Sequence, residues 1–229
     1  MPLDVDVFWS FRSPYSYLAT PRLVELERRY ELAIHVRPVL PIAVRIEGFF
    51  DRVNPLWPPY LVRDCLRIAE SLGMPFSWPR PDPIVQEFPS RKVAAEQPYI
   101  YRLTRLGALA AERGFGLPFI AEVSRVIFGG TVAWHEGSHL FDAAKRAGGD
   151  LVEMDRAIAA PAEAARLDAV IADNQAALEK AGHWGVPTMV FQGEPFFGQD
   201  RIDLLVWRLQ KHDLRARVQV SNRAGGPPP

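Results

Sequence analysis

Three short segments carry residue types suited to chemistry on a bound ligand: Ser13-Pro14-Tyr15-Ser16, Gly185-Val186-Pro187-Thr188 and Gly198-Gln199-Asp200-Arg201. The first opens with a hydroxyl followed by proline. That pair marks a helix start, because serine caps exposed amides and proline fits the first helical turn. A hydroxyl placed there also sits at the positive end of the helix dipole, where negative charge is favoured. The second segment holds an X-Pro bond, the kind able to adopt cis, and its plain alternative is a proline entering an edge strand. The third offers backbone donors ahead of an apolar run, a setting for a carboxylate or for simple capping with a solvated ion pair. Serine alone is a poor nucleophile, and no histidine lies near Ser13 in sequence to activate it.

Other candidates read as structural. Cys65 is the sole cysteine, so an internal disulfide and a Cys-x-x-Cys redox centre are both impossible. Its place beside Leu66 in an apolar helical pattern reads as a small core residue. His135-Glu136-Gly137-Ser138-His139 matches a zinc-protease pattern that needs both histidines on one helical face. Gly137-Ser138 reads instead as a break and cap, with the helix starting at His139, so no metal site is expected even with Glu163 as a conceivable third ligand. His183, ahead of Trp184 and the Val-Pro pair, reads as structural or as bordering a pocket. Trp9, Phe11, Phe49, Phe50, Trp57 and Trp78 are expected mostly in the core, some lining an apolar pocket.

The elements that position these segments follow from periodicity. Residues 4–11 alternate and then become continuously apolar, predicting a strand. Tyr15, Leu18, Ala19, Leu23 and Leu26 recur at helical spacing as far as Tyr30, and residues 34–40 predict a second strand. Residues 42–181 carry helical patterns over 59–73, 90–113, 117–128, 140–147, 151–159 and 162–181, with a proline-rich bend in MPFSWPRPDP. Asp150 with Glu153 makes a capping box. Residues 188–191 and 195–197 flank Gln192-Gly193-Glu194 as a hairpin, followed by an apolar helix from Ile202. Strand, helix, strand, then a helical block, then hairpin and helix define one α/β domain split by an α-helical insertion. The expected boundaries are 1–41 with 182–215 for the α/β domain, 42–181 for the insertion and 216–229 for a disordered tail.

Bulk properties exclude several classes. The 27 basic and 27 acidic residues cancel, which argues against broad attraction to nucleic acid or an anionic membrane. No apolar stretch approaches the roughly 20 residues that span a bilayer. The start MPLDVDVFWS lacks a basic leader, and the single cysteine makes a reduced cytoplasmic setting the expectation.

SFRSPYSYLA, GVPTMVF and FFGQDRIDLL, in this order and spacing, resemble the kappa-class glutathione transferases and 2-hydroxychromene-2-carboxylate isomerases. Asn54-Pro55 and Tyr60 with Asp64 extend the resemblance over nearly the whole chain. It implies a thioredoxin-like fold, glutathione as the cofactor and a homodimer. It also implies that Ser13 donates a hydrogen bond to the glutathione sulfur and holds it as thiolate, where the residues alone leave a plain helix cap equally open. Pro187 is implied to be cis, turning Val186 toward the cysteinyl unit. Gln199, Asp200 and Arg201 are implied at the γ-glutamyl end, and Asn54 at the glycyl end. The family's lysine three residues before Tyr60 is replaced by Trp57, which cannot neutralise a carboxylate. Arg52 or Arg63 stands near enough in sequence to compensate.

The expected activity is therefore a glutathione-dependent isomerisation of an aromatic or unsaturated acid. The alternatives are conjugation of glutathione to an electrophile, and a thioredoxin-fold binding protein without chemistry.

Overall fold

The computed structural model describes residues 2–87 and 92–218. Four strands form one mixed sheet in the order β2-β1-β3-β4. β1 (Leu3–Trp9) pairs in parallel with β2 (Leu32–Pro38), with Leu3 opposite Leu32 and Trp9 opposite Pro38. The crossover between them is α1 (Pro14–Arg29), as the strand–helix–strand pattern requires. β3 (Thr188–Phe191) returns antiparallel to β1, with Phe8 opposite Thr188, and β4 (Glu194–Phe197) closes the hairpin. Gln192 and Gly193 turn that hairpin with φ of 50° and 83°, the positive values a tight two-residue loop demands.

The segment between β2 and β3 is helical. It comprises α2 (Ile42–Arg45), α3 (Phe49–Arg52), α4 (Trp57–Ser71), α5 (Ile100–Glu112), α6 (Gly116–Phe128), α7 (His139–Arg146), α8 (Leu151–Ala159) and α9 (Pro161–Lys180). A 3₁₀ turn (Gln199–Arg201) and α10 (Ile202–Gln210) follow β4. The fold is α/β and thioredoxin-like, and its apolar cluster runs without a break from Val5, Val7 and Trp9 of β1 through Leu103 and Leu106 of α5 to Ile120 and Val123 of α6. Burying that contiguous apolar area is the main favourable term in holding helices to sheet.

Several expectations need correction. The helix expected over 90–113 begins only at Ile100, and its first two positions lie outside the described residues. Pro98 explains the delay. Within a helix it would lack an N–H and collide with the carbonyl of residue 94. That carbonyl accepts instead from Gln97 Nε2 at 2.8 Å, while the same amide bonds Val85 N–H at 2.8 Å and its carbonyl at 2.9 Å. The capping box is only half made. Asp150 caps Val152 and Glu153, but the Glu153 carboxylate turns to Arg113. Of the tail expected over 216–229, Ala216 bridges Tyr30, and Arg217 bonds the carbonyls of Arg29, Glu27 and Leu32; residues 219–229 lie outside the described ones. Trp9 and Phe11 are fully buried as expected. Phe49, Phe50 and Trp57 instead form a part-exposed cluster, with ring centroids 5.4 and 6.1 Å from Phe49.

Candidate active site

Ser13 sits where β1 hands over to α1, with an extended backbone (φ −88°, ψ 111°) that ends the strand and starts the helix. Its Oγ accepts from Ser16 N–H at 3.2 Å and donates to the carbonyl of Val186 at 3.2 Å. The cap is thus real, and it ties the helix start to the loop before β3, 173 residues away in sequence. Pro14 has no N–H to offer, and Ser16 N–H is taken by the cap. Among the described residues the Tyr15 N–H and the Val186 N–H have no hydrogen-bond partner. The Val186–Pro187 bond is cis. The Ser13 hydroxyl thus meets the X-Pro loop at the Val186 carbonyl, with the Tyr15 and Val186 N–H groups left unpaired on the two segments so joined. The Ser13–Val186 bond is long for O–H···O, so its proton is cheaply redirected to a better acceptor.

The 3₁₀ turn is drawn to the same end of the sheet. Gly198 N–H donates to Pro187 O at 2.9 Å, and Arg22 of α1 donates to Gln199 O at 3.0 Å and to Asp203 at 2.5 Å. Gly198 holds φ +105°, and a Cβ there would stand 2.5 Å from Asp200 Oδ1. Asp200 and Arg201 pair with one another at 2.5 Å on the surface, a contact worth about 0–1 kcal/mol and easily opened. Asn54 is placed differently. It is exposed, its Oδ1 accepts from Leu56 N–H at 3.0 Å, and it shares no hydrogen bond with Ser13, Val186 or the 199–201 turn. Arg52 and Arg63 are likewise exposed, and no ion pair engages either among the described residues.

The surroundings add Arg12 and Arg45, which the sequence did not single out, to Tyr15 and His183, which it did. Arg12, next to Ser13, makes a two-pronged pair with Asp82 at 2.8 and 2.9 Å and stands 5.7 Å from the Phe50 ring. Tyr15 donates to Asp64 at 2.8 Å; burial and that bond push the phenol far above its ordinary value, so it stays neutral and pins α4 to the helix start. On the other side, His183 lies between Trp184 (centroids 4.5 Å) and Phe197 (3.9 Å) in a three-ring stack. Gly185 N–H donates to His183 Nδ1 at 2.9 Å, so the neutral ring carries its proton on Nε2. Burial lowers the His183 pKa from its ordinary 6.5. From α2, Arg45 donates to Leu40 O at 2.8 Å and to Trp184 O at 2.7 Å. Adjacency to Ser13 was a usable signal for Arg12; nothing in the sequence marked Arg45.

Cys65 is fully buried, and desolvation, helped by Asp64, pushes its thiol up to about 12. A thiol so seldom ionised reacts slowly. We expect a disulfide reagent to leave it unmodified in the native protein over hours and to titrate one thiol after denaturation; rapid native labelling would contradict this placement. His135 and His139 stand on either side of the α7 start, with Gly137 at φ +57° between them. Among the described residues no three His, Cys, Asp or Glu side chains gather as a metal cluster.

A thioredoxin-type sheet with a helix start, an X-Pro loop and a 3₁₀ turn converging at one end defines the class. The chain belongs to the DSBA-like thioredoxin domain family, whose profile matches residues 4–210. The chain is 26% identical over 205 residues to the 2-hydroxychromene-2-carboxylate isomerase of Pseudomonas putida, covering 88% of this chain and 91% of that one. Its structure is similar to that of a 2-hydroxychromene-2-carboxylate isomerase, with a TM-score of 0.68, 24% identity and coverage of 92% and 96% of the two chains. It is also similar to a probable DsbA oxidoreductase from Streptomyces coelicolor, with a TM-score of 0.63, 18% identity and coverage of 98% and 97%.

Proposed function

We propose that this protein is a glutathione-dependent isomerase of an aromatic or unsaturated acid, of the 2-hydroxychromene-2-carboxylate type. The observation that carries the reading is Ser13. A hydroxyl, not a thiol, stands at the helix start, and the chain's only cysteine is buried and un-ionised, so any reacting sulfur must arrive on a ligand. The DsbA oxidoreductases of the family are a poorer guide here, because one cysteine cannot cycle between dithiol and disulfide. The named isomerase relatives support the same choice.

The donor set fits a γ-glutamyl tripeptide thiol. When bound, glutathione supplies the thiolate that adds to a conjugated carbon and leaves again. Ser13 turns its proton from Val186 O to the sulfur, and the α1 start with its free Tyr15 N–H favours the negative charge. Val186 offers a free N–H and a carbonyl released by that turn, which together pair with an extended backbone as a strand would. Gln199, Asp200 and Arg201 take the γ-glutamyl end, and the resemblance alone assigns the glycyl end to Asn54. The reading includes a cytoplasmic homodimer, for which sedimentation is the direct measurement.

Calorimetric titration with glutathione tests the reading first. Saturable binding below millimolar concentration is expected, and undetectable binding at millimolar would sink it. Turnover of 2-hydroxychromene-2-carboxylate should then depend on glutathione without consuming it. Stoichiometric consumption would instead establish conjugation.

A further inference from the structure

We propose that Arg45 is the carboxylate-binding residue of this site and that, with the ring of Trp184, it selects an aromatic acid as substrate. The inference rests on the reading of the site given above and names the group that confers its acid specificity. Arg45 is a half-buried guanidinium that donates Nε to Leu40 O and one Nη2 hydrogen to Trp184 O. Both partners are neutral carbonyls, and no carboxylate pairs with Arg45 among the described residues. Nη1 has no hydrogen-bond partner among them. The neighbouring cation at the site, Arg12, is by contrast already neutralised by Asp82.

A charge held partly out of water with no carboxylate in direct contact is costly, and an incoming anion relieves that cost. Burial accordingly pushes the Arg45 pKa below its ordinary value, with Glu179 only partly opposing it. The position is suited to substrate. Trp184, whose carbonyl Arg45 grips, lies two residues before Val186, whose carbonyl takes the Ser13 proton. At most about 7 Å of backbone separates those two anchor residues. The segment carrying α2 and α3 thus reaches the 183–188 loop through Arg45 and the Ser13 side through Phe50, which faces Arg12. Trp184 rests one face on His183 and is 55% exposed, which leaves its other face open to a flat ring. A guanidinium fork beside an open indole face matches a planar aromatic carboxylate: ring on ring, carboxylate on Nη.

The test uses binding, so it does not require turnover. The wild type, Arg45→Gln and Arg45→Lys would be titrated calorimetrically with 2-naphthoate, its neutral amide and, separately, glutathione. Arg45→Gln is expected to weaken naphthoate by about tenfold or more. The amide and glutathione should bind as to the wild type, and Arg45→Lys should recover part of the naphthoate affinity. Equal weakening of naphthoate and amide would reduce Arg45 to a strut between Leu40 and Trp184 and overturn the proposal. So would unchanged naphthoate binding, or a loss confined to glutathione, which would assign the cation to the tripeptide. Failure of the wild type to bind glutathione, with the acid-over-amide preference intact and lost in Arg45→Gln, would overturn the glutathione reading and leave this one standing.

Discussion

Ser13→Ala is expected to raise the pKa of a thiol bound at this site by about one to two units, and to slow turnover at neutral pH by about tenfold to a hundredfold. The magnitude follows from what is removed. A hydrogen bond to a charged acceptor is worth about 1.5–3 kcal/mol, and one pKa unit corresponds to about 1.4 kcal/mol. Thiol protonation cancels the interaction, so its loss falls almost wholly on the thiolate. The same substitution removes the cap on Ser16 N–H, which costs about 1 kcal/mol of stability whether or not Ser13 touches sulfur. Melting temperature alone therefore cannot separate the two roles, but Ser13→Asp can. Aspartate caps as well as serine but cannot donate to the Val186 carbonyl, so that variant should keep the Ser16 cap and still melt below the wild type. Its carboxylate repels a thiolate, so the bound thiol should titrate higher than in the alanine variant. Far-ultraviolet thiolate absorbance of bound glutathione against pH reads both shifts. An unchanged pKa in Ser13→Ala would leave Ser13 as a cap and nothing more.

How much of this was legible in the sequence depends on the range over which each signal acts. β1, α1 and the β3–β4 hairpin rest on alternation, a Ser-Pro start and a Gln-Gly turn, all local features, and all three formed as expected. α2 and α3 have four residues each, too few for a period to register, so Arg45 and Phe50 stood in a segment without visible pattern. The couplings that build the site are also distant in sequence. Arg12 and Asp82 are 70 residues apart, Tyr15 and Asp64 are 49 apart, and no spacing rule connects either pair. Glu153 shows the converse. Its local motif was read correctly, but a two-pronged pair with Arg113 outcompeted the backbone N–H it was expected to cap. Pro98 was the one local signal that should have outweighed the apolar periodicity around it, since it alone bars a helix running through from Ser90 to Ile100.

Gly107→Ala is expected to destabilise the protein although it improves a helix, and the reason leads back to the site. In an exposed helix interior the change would stabilise by about 1 kcal/mol, because alanine loses less backbone freedom than glycine. Gly107 of α5 has no such freedom of space. A Cβ there would stand 2.7 Å from Phe11 Cε2, 3.0 Å from Cζ and 3.3 Å from Pro38 Cγ. Phe11 cannot swing aside. It is fully buried, edge-on to Trp9 at 4.7 Å and to Phe119 at 6.3 Å, and Trp9 is itself anchored to Ser16 O and Thr20 Oγ1. Overpacking of this kind costs about 1–3 kcal/mol, enough to reverse the propensity gain, and each net kcal/mol lowers the melting temperature of a chain this size by about 2–4 °C. Phe11 lies two residues before Ser13, so displaced packing is transmitted to the Ser13–Val186 contact, and turnover should fall more than stability alone explains. Phe11→Leu in the Gly107→Ala background removes the clashing ring edge. The double variant should therefore be more stable than the sum of its single changes predicts. A higher melting temperature for Gly107→Ala alone would show that α5 can retreat from the sheet, and that Phe11 does not fix the position of Ser13.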